Sequence, residues 1–170
     1  WGIHNIREKL NDEYIETNYG INSDSIEFLE VQNSLPQEAT KYIHFRNFYE
    51  DRDMTDPKNY NYIQTLMDVD EYINYMIAQI YIANTDWPGN NWYMARNTAV
   101  GTGFKCFIWD AEQSLKNVNN DCTGVNSAAS PGYFYDKLRQ NAEYRVLFGD
   151  RAHQFLFNGG VLTAAACRER

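Results

Sequence analysis

Asn84-Thr85-Asp86-Trp87-Pro88-Gly89-Asn90-Asn91 separates the most strongly patterned helix of the chain from its clearest pair of strands, and its reading decides the fold. Upstream, Asp68 followed by Glu71 three residues later makes an acidic relative of the capping box, in which side chains take up amides that the first helical turn leaves open. Tyr72, Ile73, Met76, Ile77, Ile80 and Tyr81 then recur at three- and four-residue intervals, the spacing of a helical face turned to a core. Packing explains that stripe without a ligand. Pro88-Gly89 ends helical geometry. Downstream, Trp92–Arg96 and Phe104–Trp109 are two short β-rich runs joined by a Gly-containing loop, which predicts a hairpin.

In an antiparallel hairpin the start of the first strand lies beside the end of the second. The first strand leaves the loop that carries Asp86 and Asn91, and the second ends at Asp110. Three residues separated by up to 24 positions are therefore expected at one end of the sheet. Two carboxylates and a carboxamide gathered in this way make a hard oxygen set suited to Mg²⁺ or Mn²⁺, and the cation would relieve the repulsion between the acids. Taken singly, each of the three also suits a turn, because Asp and Asn side chains bond their own backbone there. The combination is what points to a site.

Working outward, Trp1–Arg7 reads as a strand, and Asp12–Tyr19 as a short helix closed by Gly20, whose missing Cβ permits a left-handed stop. Ser25–Val31 alternates apolar and polar side chains, a second short strand. Leu35–Asp56 is mixed, with helix expected from about Gln37 to Tyr49, and Pro57 sits where a new helix can begin. After Asp110 the chain turns irregular through Asn117–Ser130. It returns to helix over Tyr133–Gln140 and Ala142–Phe157, with Gly159-Gly160 breaking before a last one. The expected architecture is one α+β domain, mostly helical, with a small antiparallel sheet set between helices. The chain begins inside a strand-like run and stops inside a helix-like one, so residues 1–170 are read as one domain cut from a longer protein.

The 170 residues are 44% hydrophobic and 22% charged, an ordinary globular composition. Fifteen Lys and Arg against 23 Asp and Glu leave a net charge of −8, which argues against sequence-independent nucleic-acid binding, since that needs a basic surface. A phosphate-bearing small ligand remains compatible, because bound metal can neutralise it locally. No apolar run approaches the roughly 18–20 residues needed to span a bilayer. Cys106, Cys122 and Cys167 are too widely spaced for a zinc site or a disulfide framework and read as free or buried thiols. His4, His44 and His153 are scattered, and no Gly-x-Ser-x-Gly or Cys/His arrangement suggests nucleophilic catalysis. Trp87 and Trp92 flank the loop, where packing accounts for them better than stacking on a ligand.

The Asp86-to-Asn91 interval is the Asp-x-x-x-x-Asn of a protein-kinase catalytic loop, in which the Asp orients the accepting hydroxyl and the Asn holds a metal. A hairpin then leads to a metal-binding Asp, the position of Asp110. Asn84-Thr85 stands where that loop has His-Arg, and Trp109-Asp110-Ala111-Glu112 replaces Asp-Phe-Gly, so the likeness is to an atypical kinase. Four segments resemble the spore coat protein H (CotH) kinase family: Gly2-Ile3-His4-Asn5-Ile6-Arg7-Glu8-Lys9-Leu10, Asp68-Val69-Asp70-Glu71-Tyr72-Ile73, Asn84 to Asn91 and Trp109 to Glu112. The resemblance covers nearly the whole chain, and its last two segments are the specific ones.

That resemblance implies an atypical protein kinase C-lobe, with about residues 1–10 as the last N-lobe strand and hinge. Asp86 would be the catalytic Asp, Asn91 a metal ligand with Asn90 as its competitor, and Asp110 the metal-binding Asp. Glu8 would lie near the hinge that holds adenine. The cofactors implied are ATP with Mg²⁺ or Mn²⁺, the partner a Ser or Thr acceptor protein, and the location a bacterial spore coat or the cell exterior. The family's phosphate-contacting Lys belongs upstream of Gly2 and is not in this chain. Two other readings compete: a kinase-like scaffold of a coat or cell surface without chemistry, and a carbohydrate-binding module suggested only by the Tyr and Trp content.

Overall fold

Asn11 accepts the Tyr14 amide at 3.0 Å and so opens α1 (Asp12–Tyr19), and Gly20 stops it with φ at 66° and its N–H on the Glu16 carbonyl. The Gly20 stop is the one the sequence predicts, and the Asn11 cap is added by the structure. The computed structural model describes residues 8–30, 46–47, 49–125 and 131–169. The expected strand over Trp1–Arg7 lies outside these residues, as does most of the expected helix from Gln37 to Tyr49; residues 46–47 and 49–50 are helical. A 3-10 turn at Ser23–Ser25 leads into β1 (Ile26–Glu30), the strand read from the alternation of Ser25–Val31.

Pro57 opens α2 (Pro57–Leu66) at a first-turn position, with the Asp56 carboxylate accepting the Lys58 amide at 2.9 Å. In α3 (Val69–Ile82) the Asp68 carboxylate uses one oxygen to accept the Glu71 amide at 3.1 Å and the other to pair with Lys105 Nζ at 2.8 Å. Tyr72, Ile73, Met76 and Ile77 of the predicted stripe are buried, and Ile80 packs against the core from its edge. Tyr81 departs from the expectation and lies at the surface, where its hydroxyl meets the exposed Cys167 Sγ at 3.5 Å. The helix itself closes at Ala83 in left-handed geometry (φ 50°), before Pro88-Gly89 is reached.

β2 (Trp92–Asn97) and β3 (Lys105–Ile108) form the expected hairpin, with Trp92 opposite Ile108 and Ala95 opposite Lys105. β1 adds antiparallel on the other side of β2, with Phe28 opposite Ala95, so the sheet order is β1-β2-β3. β2 is therefore central, and its period-two alternation sends side chains into two cores. Trp92 and Met94 join the large cluster built on α3, whereas Tyr93 and Ala95 join Leu10 and Ile15 beneath α1. Phe104 stands outside β3. It pairs instead with Met67, its N–H donating to the Leu66 carbonyl at 2.8 Å while Asp68 N–H donates to the Phe104 carbonyl at 2.9 Å. These bonds fasten the α2–α3 junction to the sheet.

The chain continues through α4 (Gly132–Leu138), α5 (Ala142–Leu156) and α6 (Ala164–Arg168), with Gly159 at φ 83° between the last two. Much of the aromatic content goes inward: Tyr49, Tyr60, Tyr72, Tyr75 and Tyr144 are all buried, and Tyr72 donates its hydroxyl to the Pro131 carbonyl at 2.7 Å. Burial pushes the Tyr72 phenol well above its ordinary range. Cys106, Cys122 and Cys167 are free, and burial drives the Cys106 thiol upward as well. Among the described residues no helix is long and apolar enough to cross a membrane.

Asn141 ties α5 to the rest of the core. Its Oδ1 accepts the amides of Glu143 at 2.9 Å and Tyr144 at 3.2 Å, while its Nδ2 donates to the buried Met54 carbonyl at 2.8 Å. Asn141→Ala is expected to cost about 2–3 kcal/mol, combining a lost cap of about 1 kcal/mol with a stranded carbonyl. Asn141→Asp keeps the cap acceptor and should recover part of that loss. Urea unfolding of the two variants measures the split, and equal losses would assign the whole effect to the Met54 bond.

Candidate active site

The loop from Ala83 to Asn91 is laced to the segment after β3. Thr85 donates both its N–H and its hydroxyl to the Gln113 carbonyl, at 3.3 and 3.1 Å, and Leu115 N–H donates to the Ile82 carbonyl at 2.7 Å. Within the loop, Asp86 N–H donates to Asn84 Oδ1 at 3.2 Å, an Asx turn that sets where the Asp86 side chain emerges. Asp86 is exposed.

Asn91 is the pivot. It is 2% exposed, and its Nδ2 donates to Asp86 Oδ2 at 2.8 Å and to the Asp110 carbonyl at 3.4 Å. One carboxamide thereby holds both the Asp86 carboxylate and the backbone at the end of the hairpin. Asn91 and Asp110 both adopt left-handed backbone, φ 61° and 49°, a conformation that Asn and Asp tolerate better than most residues. Such positions gather at functional sites because the surrounding structure has to hold them there. At Asp110 the geometry turns the chain out of β3 into the 3-10 turn Ala111–Gln113.

Asp86, Asn91 and Asp110 thus meet at one end of the sheet, as hairpin geometry predicts. Of the two neighbouring carboxamides, Asn91 makes these bonds, whereas Asn90 is exposed in the adjoining bend. Glu8 is exposed too. It lines a shallow recess with Lys9, Asn11, Glu13, Tyr14 and Thr17, a set that includes none of the three converging residues.

Sequence reasoning missed the support beneath the loop. Asn84 is buried, and its Nδ2 donates to Oε1 of the buried Gln79 at 3.3 Å. Gln79 Nε2 in turn donates to Tyr75 Oη at 3.3 Å, and Trp87 Nε1 donates to the same hydroxyl at 2.7 Å. Trp87 also packs edge-on to Tyr75 with ring centroids 6.1 Å apart, the packing role expected of it. Burial raises the Tyr75 phenol well above its usual range and outweighs the two hydrogen bonds that pull it down, so the hydroxyl stays neutral. The one sequence signal was Gln79 itself, a polar interruption in the apolar run of α3.

The donor chemistry suits a hard cation. Among the described residues no three His, Cys, Asp or Glu side chains gather into a self-sufficient metal cage. The Asp86 carboxylate and the Asn91 carboxamide, with Asp110 adjoining through its backbone carbonyl, are instead residue types that hold Mg²⁺ or Mn²⁺ jointly with phosphate oxygens and water. In comparisons with known proteins, a family model described as CotH kinase protein matches residues 1–157. No curated protein and no solved structure matches the chain.

Proposed function

The chain belongs to the CotH kinase family, and from that premise we propose that it is the C-lobe part of an atypical protein kinase. The reaction is transfer of the ATP γ-phosphoryl to a Ser or Thr hydroxyl of a spore-coat or exported protein. Membership in a kinase family implies ATP and a divalent cation in general; the residue roles are our own reading. The observation that carries it is the Asn91 carboxamide bonded at once to the Asp86 carboxylate and the Asp110 carbonyl.

In this reading Asp86 accepts the proton of the acceptor hydroxyl as its oxygen attacks the γ-phosphorus and the bond to the β-phosphate oxygen breaks. Asn91 and Asp110 would hold Mg²⁺ or Mn²⁺, and Glu8 would lie on the side of the adenine. The cation, when bound, supplies charge stabilisation for the phosphates of the nucleotide. Asn91 holds Asp86 in register with Asp110, because its two amide hydrogens are committed to the two of them. Positioning of this kind is most of what phosphoryl transfer asks of a protein.

Calorimetric titration of the full-length protein with Mn²⁺ and ATP together, followed by transfer of labelled phosphate to a coat-protein extract, tests the reading. The expected result is metal-dependent nucleotide binding and labelled Ser or Thr. A full-length protein that binds neither metal nor nucleotide would overturn it, leaving a kinase-like scaffold.

A further inference from the structure

A single run of hydrogen bonds links the interior of α3 to the proposed catalytic acid. From the inside outward, Gln79 donates to Tyr75 Oη, Asn84 donates to Gln79 Oε1, Asp86 N–H donates to Asn84 Oδ1, and Asn91 donates to Asp86 Oδ2. Gln79 and Asn84 are 1% and 3% exposed, so neither is solvated by bulk water. Gln79 and Asn84 each accept on the side-chain oxygen and donate from the nitrogen, which fixes the orientation of both amides.

Stability alone does not call for this arrangement. Gln79 lies on a helix whose buried neighbours are Tyr75, Met76 and Ile77, and an apolar side chain of similar volume would fill the position without needing partners. What an apolar residue could not do is hold Asn84 by its amide. We propose that Gln79 is a positioning residue, which through Asn84 orients Asp86 and the Asn91 amide bonded to it. Its importance for turnover rests on the kinase reading of Asp86; its hold on the loop does not.

The test follows Gln79→Leu and Gln79→Glu in the full-length protein by two readouts. The first is the pair of Asn91 side-chain amide resonances and their hydrogen exchange. The second is phosphoryl transfer from Mn²⁺–ATP. Gln79→Leu should shift the Asn91 signals, speed their exchange, and lower kcat by about 30-fold with KM for ATP held within about twofold, since misplacement of a reacting group costs up to about 100-fold. Gln79→Glu retains an acceptor for Asn84 and should restore a measurable part of kcat. If Gln79→Leu fails to fold, Gln79→Met, which keeps the unbranched shape and removes the amide, should move the same resonances in the same direction.

Asn91 signals that stay unchanged in Gln79→Leu, with only the melting temperature lowered, overturn the proposal whether or not the wild type turns over. Wild-type protein that transfers no phosphate while its Asn91 signals still move on substitution overturns the kinase reading, and upholds the hold of Gln79 on the loop.

Discussion

Asp110→Asn is expected to reduce phosphoryl transfer by the full-length protein about 10³-fold while leaving its urea unfolding curve close to that of the wild type. The substitution removes one negative charge at the point where the hairpin and the Asp86 loop meet, which is where the proposed cation and the triphosphate would be held. Asn is the informative replacement because Asp110 sits at φ 49°, and Asn accepts left-handed backbone nearly as readily as Asp. Asp110→Ala should lose the same activity and also cost roughly 1 kcal/mol of stability, since Ala lacks the short polar side chain whose local hydrogen bonding lets Asp and Asn hold left-handed backbone. The backbone carbonyl that receives Asn91 is present in all three proteins, so the loop keeps its anchor. Transfer retained by Asp110→Asn would remove Asp110 from the mechanism.

Gly103→Ala should cause a large loss of stability for a change of one methyl group. A Cβ at residue 103 would lie 2.5 Å from the Met67 carbonyl carbon, 2.6 Å from Asp68 N and 2.8 Å from Met67 N. All three are backbone atoms, so no side chain can swing aside. Relief requires moving the entry of β3 away from the α2–α3 junction. That motion stretches the Phe104 to Leu66 and Asp68 to Phe104 bonds and the Lys105–Asp68 pair. The expected cost is about 3 kcal/mol, or a melting temperature lower by roughly 6–12 °C for a domain of this size. Gly89→Ala is the control, because a Cβ there meets nothing within 4 Å and should change stability by less than about 0.5 kcal/mol. Calorimetry on the pair decides the matter; similar melting points would mean that the close approach at Gly103 carries no weight.

These two residues differ in how far they could be read in advance. Asp110 was legible because hairpin geometry is short-range: two β-rich runs and a Gly-containing loop already bring residues 91 and 110 side by side, and Asp86 lies five residues before Asn91. Gly103 was visible only as a loop glycine. Its constraint comes from the backbone of Met67 and Asp68, more than thirty residues away, and no local pattern encodes that approach. Tyr81 shows the same limit from the other side. Helical spacing put it on the core face, but spacing cannot say which members of a stripe the distant segments will cover.

The pairing of β1 with β2 and the Tyr75–Gln79–Asn84 support belong with Gly103. A capping side chain such as Asn11, Asp56 or Asp68 acts on an amide two or three residues away, so the sequence by itself determined where these helices begin. Hairpin topology likewise determined that Asp86, Asn91 and Asp110 share one end of a sheet. The tertiary structure alone decided which of Asn90 and Asn91 turns inward, and which buried amides hold the loop beneath them. It also decided how closely β3 may approach the α2–α3 junction. Those outcomes depend on distances between segments far apart in the chain, set by the packing of two cores on either side of β2.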